Sequence, residues 1–339
     1  MRVDAYTHFI PKPFADRMAQ IAGNFADIGK RMREIPCIVD IDERRRVVDQ
    51  FKDYSQILAY PMPPIENIVK AEQTEELCRI INDGFAEICT RHRHHFPGFV
   101  AQVSLGSPDG AVREAERAVK LPGALGVQIY TNVSGKPLDR PEFAPFFEKM
   151  NALGKPIWIH PARGANHPDY VDEKKSLYEI WWTLGWSYET AAAMSRLVFS
   201  KTIDRNPDLK LIVHHFGGIV PILEGRIGPG WDQIGARTSD EDYQALKRSL
   251  KKRPLDYFKQ NFYADTAVFG ADAATVCGLA FYPTEQVLFA SDCPFDPEKG
   301  TGYIRETLRI LDSLNLSKDV RDKIFYKNLE TLTGTKLVK

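Results

Sequence analysis

The chain has 339 residues, 43% hydrophobic and 27% charged, the composition of a globular protein with a large core. Its 45 Lys and Arg balance its 45 Asp and Glu, so no basic surplus points to nucleic acid or an anionic membrane, and little net charge opposes self-association. It holds no apolar run of about 18 residues, no signal-like start, and no close pair among Cys37, Cys78, Cys89, Cys277 and Cys293, which predicts a cytoplasmic protein with reduced thiols.

Short β-rich runs alternate with longer helical patterns. Strands are predicted at 2–7, 55–60, 99–104, 125–130, 156–160, 210–214, 261–266 and 286–291. Helical patterns lie near 42–52, 67–94, 109–119, 141–153, 188–205, 219–235, 270–281, 302–313 and 317–328. Eight strands in strict alternation with helices predict a single (β/α)8 TIM barrel spanning 1–339. Runs such as Ile157-Trp158-Ile159 and Leu211-Ile212-Val213 are apolar on both faces, as strands between a barrel core and a helix layer must be.

Two segments break the alternation. Residues 9–40, after the first strand, carry Pro11, Pro13 and Pro36 with room for a helix between them. Residues 163–187, after the fifth strand, hold Trp181, Trp182 and Trp186. Insertions after strands fall on the catalytic face of a barrel. The tryptophans have two readings, a packed subunit contact or apolar plug, and an aromatic wall for a flat substrate.

Several strands deliver polar side chains at their C-terminal ends. His8 ends the first strand and His160 the fifth, His214 and His215 follow the sixth, and Asp292 ends the eighth. Imidazole and carboxylate are the ligands a borderline divalent ion such as zinc accepts. Such an ion polarises an oxygen or lowers the pKa of water. Asp265, ending the seventh strand, reads either as a partner that orients a histidine or as a helix N-cap. Arg163 and Asn166 lie just past His160, where they could meet an anion. His92, His94 and His95 have metal-like spacing, but a helix C-terminus attracts cationic side chains in any case. Glu189, near a helix start, is expected to face backbone amides.

Taken together, Asp4-Ala5-Tyr6-Thr7-His8-Phe9-Ile10-Pro11, Pro156-Ile157-Trp158-Ile159-His160-Pro161, Gly185-Trp186-Ser187-Tyr188-Glu189-Thr190, His215-Phe216-Gly217-Gly218-Ile219-Val220-Pro221 and Ser291-Asp292-Cys293-Pro294-Phe295 resemble the amidohydrolase superfamily. Within it, the chain resembles the branch related to aminocarboxymuconate-semialdehyde decarboxylase, which includes γ-resorcylate-type decarboxylases. The resemblance implies one divalent metal, zinc being the ion expected, held by His8, His160 and Asp292. It implies catalytic roles for His215 and Asp292; His215 is preferred to His214 because it stands six residues before Pro221. Arg44 matches an arginine that binds substrate carboxylate, although Arg45 and Arg46 beside it also suit a solvated helix face. Trp186 and Arg163 are the other expected substrate contacts.

One position departs from the pattern. Tyr6 stands where the family carries its first strand-1 histidine, and a phenol with an ordinary pKa of about 10 ligates poorly. Tyr6 is therefore expected as a hydrogen-bond donor towards substrate, or else as a space filler. Three remaining ligands suffice for a catalytic zinc, with weakened affinity.

The resemblance implies a metal-dependent, non-oxidative decarboxylase of an aromatic or muconate-like acid. A metal-dependent hydrolase of an ester, lactone, amide or carbon–carbon bond uses nearly the same residues, and a hydratase is a further possibility. A catalytically silent barrel that binds a ligand is the reading from another class. The expected partners are a small carboxylate and a second copy of the chain, with 163–187 as one contact.

Overall fold

A computed structural model describes residues 1–21 and 28–338. All eight predicted strands are present: β1 (Arg2–His8), β2 (Tyr54–Ala59), β3 (Gly98–Gln102), β4 (Ala124–Tyr130), β5 (Ile157–His160), β6 (Leu211–Val213), β7 (Phe262–Asp265) and β8 (Val287–Leu288). They form one parallel sheet in that order. The sheet wraps round because Ala5 N donates to Phe289 O at 2.8 Å and His8 N to Cys293 O at 2.7 Å, joining the first strand to the last. Helices between the strands, among them Ala71–Arg91, Pro108–Ala118, Ala144–Leu153 and Gly302–Ser313, form the outer layer of a (β/α)8 barrel.

Alternation along each strand decides what faces the barrel axis. Val3, Ala5, Ile57, Ala59, Val100, Leu125, Trp158, Ile212, Leu288 and Ala290 form an inner buried cluster. The residues between them, such as Leu58, Ile157, Ile159, Leu211, Val213, Val287 and Phe289, join the larger cluster that includes the helices. The same parity carries His160 inward two residues after Trp158, His214 two after Ile212, and Asp292 two after Ala290.

A buried carboxylate holds the seam between first and last strands. Asp4 accepts from Ser291 Oγ at 2.5 Å, Ser291 N at 3.0 Å and the Tyr54 hydroxyl at 2.6 Å. Burial raises its pKa to about 7 against the pull of these donors. Replacing Asp4 by Ala orphans both hydroxyls, at about 1–3 kcal/mol each. The expected loss is about 3 kcal/mol, or roughly 4 °C in thermal midpoint for a domain of 339 residues. A drop under about 2 °C would remove the seam role.

The structure departs from the predicted elements at several helices. The expected helix over 219–235 is present as one continuous helical stretch over 221–232, tightened at Pro221–Leu223 and widened at Arg226–Gly230, where Pro229 has no N–H to give to the regular ladder. The pattern over 188–205 divides into Gly185–Phe199 and Thr202–Arg205, with Lys201 at φ 63° between them. Two helices that were not predicted, Tyr243–Ser249 and Pro254–Gln260, follow β6. The segment after β1 holds the helices Lys12–Ile21 and Ile28–Arg33; of the predicted insertion 9–40, residues 22–27 lie outside the described residues. Among the described residues, no helix is long and apolar enough to cross a membrane. All five cysteines are free.

Candidate active site

Four side chains from four strand ends meet inside the barrel mouth: His8, His160, His214 and Asp292 are exposed by only 0, 3, 1 and 6%. His8 Nε2 lies 2.9 Å from Asp292 Oδ1, and His214 Nε2 lies 3.4 Å from the same oxygen. Ligand atoms of His8, His160 and His214 lie within 4.8 Å of one another, and so do those of His214, His215 and Asp292. His214 belongs to both groups.

Hydrogen bonds at the far side of three rings fix their orientation. Nδ1 of His160 donates to Pro161 O at 2.7 Å, Nδ1 of His214 to Asp265 Oδ2 at 2.7 Å, and Nδ1 of His215 to the Ala267 carbonyl. Each ring then presents Nε2 as its second nitrogen. Asp265 also accepts from His215 N at 3.0 Å and Ala267 N at 3.1 Å, so it orients a histidine rather than capping a helix. Both nitrogens of His8, and Nε2 of His214, are buried without a hydrogen-bond partner. Orphaned imidazole nitrogens gathered beside a carboxylate are the donor set of a divalent cation, so these residues fit one.

Electrostatics favour positive charge at this point. Burial would lower the pKa of His214, but the Asp265 and Asp292 carboxylates outweigh it and raise the value to about 9. Burial also opposes ionisation of Asp292, yet His214 and His8 beside it hold its carboxyl well below the usual range. Burial drives His8 and His160 downward, His160 further because His8 and His214 crowd it. Burial, then His214, lowers His215 to about 4.

A left-handed backbone separates the two adjacent histidines. His215 has φ 56°, Phe216 φ 52° and Asp292 φ 65°. Gly217 and Gly218 continue the turn at φ 72° and 66°, and a Cβ on Gly218 would strike the Ser187 backbone at 2.3 Å. His214 therefore stays buried in the barrel while His215 lines the cavity above it.

That cavity, of about 680 Å³, is bounded below by His160, His215 and Asp292. Trp181, Trp182 and Trp186 enter from the insertion after β5, Phe269 from the loop after β7, and Phe295 and Tyr303 from the segment after β8. The tryptophans thus form an aromatic wall. Trp186 lies 5.8 Å from the His160 ring, centroid to centroid, and donates from Nε1 to Arg163 O at 3.2 Å.

Three expected substrate contacts do not reach the cavity. Tyr6 is buried, packs edge-on against His8 and His214 at 5.0 and 4.7 Å, and donates its hydroxyl to Gln128 Oε1 at 2.5 Å. The phenol is committed to an interior amide and its pKa is pushed well above 10 by burial, so it braces the rings. Arg44 is fully buried behind His8; it donates to Cys293 Sγ at 2.5 Å and to the His8 carbonyl, which fixes the strand end. Arg163 pairs with Glu189 at 3.2 Å and donates to Pro168 O at 3.1 Å, so Glu189 is spent on this arginine rather than on backbone amides. Asn166 is exposed and does not line the cavity. His95 pairs with Asp49 at 2.8 Å, far from any cluster.

The cations that do line the cavity are Lys30 and Arg31, on the helix Ile28–Arg33. Arg31 is anchored by donating to Asp296 O at 2.6 Å and Phe295 O at 3.3 Å. Their placement depends on the path of the insertion after β1, which no local pattern encodes. His214 was legible: the parity of Ile212 points it inward.

The chain belongs to the amidohydrolase family, whose profile matches residues 3–332. A γ-resorcylate decarboxylase from Rhodococcus jostii is 28% identical over 342 residues, covering 96% of each chain. A 2-amino-3-carboxymuconate-6-semialdehyde decarboxylase from Dictyostelium discoideum is 26% identical over 310 residues, covering 87% of this chain and 82% of its own. A dihydroxybenzoic acid decarboxylase from a Polaromonas species, solved with manganese and the inhibitor 2-nitroresorcinol, superposes with a TM-score of 0.77 at 26% identity, covering 98% of this chain and 96% of its own.

Proposed function

We propose that the protein is a metal-dependent, non-oxidative decarboxylase of an aromatic carboxylic acid. The observation that carries this reading is the buried cluster of His8, His160, His214 and Asp292 opening into an aromatic-walled cavity. The relatives' decarboxylase activities support it. His8, His160 and Asp292 are the proposed ligands, joined by Nε2 of His214; Asp265 holds that ring in place. The imidazole-rich donor set favours zinc, while the Polaromonas relative holds manganese. When bound, the ion neutralises the substrate carboxylate and a neighbouring oxygen.

The chain's own residues handle the proton. Asp292 rests as a carboxylate, so it starts as the base. It takes the proton of an ortho hydroxyl and passes it to the ring carbon that bears the carboxylate. The carbon–carbon bond then breaks, its electron pair restores the aromatic ring, and carbon dioxide leaves. The phenolate product regains a proton from solvent. While Asp292 carries that proton, Nε2 of neutral His215 beside it accepts a hydrogen bond from the carboxyl and orients it for delivery to carbon, and Trp186 packs on the ring and excludes water.

Headspace measurement of carbon dioxide from ortho-hydroxybenzoates, with phenol quantified in parallel, tests the reading. Hydrolysis of aryl esters or lactones without carbon dioxide release would favour the hydrolase alternative. His215 sets an expected pH dependence. Its folded pKa is about 4, so it keeps its acceptor lone pair above that value and loses it as pH falls through it. An acid limb in kcat/KM near pH 4 is expected, and its persistence unchanged in His215→Asn would exclude this role.

The proposal extends to a single-domain, cytoplasmic homodimer. Free cysteines support the compartment. The exposed Tyr170, Val171, Tyr178, Leu184 and Tyr188, in and next to the insertion after β5, support a subunit contact there.

A further inference from the structure

We infer that the substrate is larger than a single ring: an ortho-hydroxy aromatic acid carrying a second fused ring, or an apolar arm of similar length, on the side away from its carboxylate. This inference rests on the decarboxylase reading for the position of the carboxylate, and on the cavity alone for its size.

The volume is the first observation. A cavity of about 150 Å³ takes a benzene ring. The present cavity, at about 680 Å³, is several times larger. The arrangement of its rings is the second. From His160, ring centroids step 5.8 Å to Trp186 and a further 6.3 Å to Trp182, with Trp181 5.7 Å from Trp186. From His215, they step 5.4 Å to Phe269 and a further 4.3 Å to Tyr303. Ring contacts thus run from the histidine cluster through Trp186 to Trp182 on one side, while Phe269 and the Tyr303 stacked on it close the other side.

A one-ring acid with its carboxylate at His160, His215 and Asp292 covers the first row, Trp186 and Phe269. It leaves Trp182, one ring further along the tryptophan side, uncovered. Uncovered aromatic surface inside a concave site is surface a ligand buries. Next to Trp182 the lining turns charged, since Trp182 Nε1 donates to Glu179 Oε2 at 2.8 Å, and Lys30 and Glu34 add further charges to the lining. Along the tryptophan side, from His160 to the Glu179 carboxylate, the apolar length is therefore two rings.

The test compares 2-hydroxybenzoate with 2-hydroxy-1-naphthoate on the metal-loaded protein. It reads kcat/KM by carbon dioxide release and Kd by quenching of tryptophan fluorescence. The expected result is at least a ten-fold preference for the two-ring acid in both. Trp182→Ala, which shortens the wall, is expected to pull that ratio towards one. Ala274→Trp, which fills the cavity from an exposed helix position and cannot unfold a core, should do the same. Preference for the one-ring acid, or equal values, overturns the inference while leaving decarboxylation standing. Tighter binding of the two-ring acid without turnover of either supports the size inference and removes the decarboxylase reading. Neither turnover nor tighter binding removes both.

Discussion

Asp292→Asn is expected to lower kcat by about 10³-fold or more while the protein stays folded, in line with the loss of a general acid–base in a buried site. The carboxylate sits against His8 and His214, with an oxygen 2.9 Å and 3.4 Å from their nitrogens. Those neighbours keep it ionised, and an ionised group beside the reacting carbon can both receive and return a proton. Asparagine preserves volume and removes only that ability, together with one negative ligand. The measurement is single-turnover carbon dioxide release alongside a thermal melt and a metal determination. A loss below ten-fold with metal retained would take the proton from Asp292 and give it to another group.

Removing metal is expected to take turnover below about 1% and to lower the thermal midpoint, both restored by a divalent ion. A ligand that binds only the folded state at about 1,000 times its Kd stabilises by about 4 kcal/mol. Without a cation, the two carboxylates Asp265 and Asp292 have only the His214 proton between them, which is why that ring holds it up to about 9. His214→Asn should therefore reduce metal affinity by about 10–100-fold in chelator competition, comparable to losing a group that orients a ligand or more. Full activity with less than a tenth of an equivalent of metal, by plasma mass spectrometry, would sink this prediction.

The eight strands were legible because each is a short run bounded by breakers, and because His8, His160 and Asp292 sit where such runs end. Distance along the chain translates directly into position at the barrel mouth. His214 was set behind His215 by motif spacing, although alternation from Ile212 already aimed it at the axis. Arg44 and Arg163 were legible only as charges. A guanidinium reaches far enough that its partner is chosen by tertiary neighbours, here Cys293 and the His8 carbonyl for one and Glu189 for the other. Tyr6 was marked by its position, but its use depends on Gln128, an interior amide 122 residues away. The helix after β6 was legible from its apolar spacing, but Gly225, Gly228, Pro229 and Gly230 left their mark as a widened turn at Arg226–Gly230.

His215 and Asp292 also constrain how this site can vary. Both sit at positive φ, at 56° and 65°, where only glycine is at ease and asparagine or aspartate are tolerated. A β-branched side chain at either position loses backbone energy before any chemistry is lost. A substitution library sorted by folded yield would retain a few small or Asx-type residues, whereas one sorted by turnover would retain the native pair. The path by which this barrel could drift to a new reaction is therefore narrow at these two positions and wide along the tryptophan wall, where no such backbone toll applies.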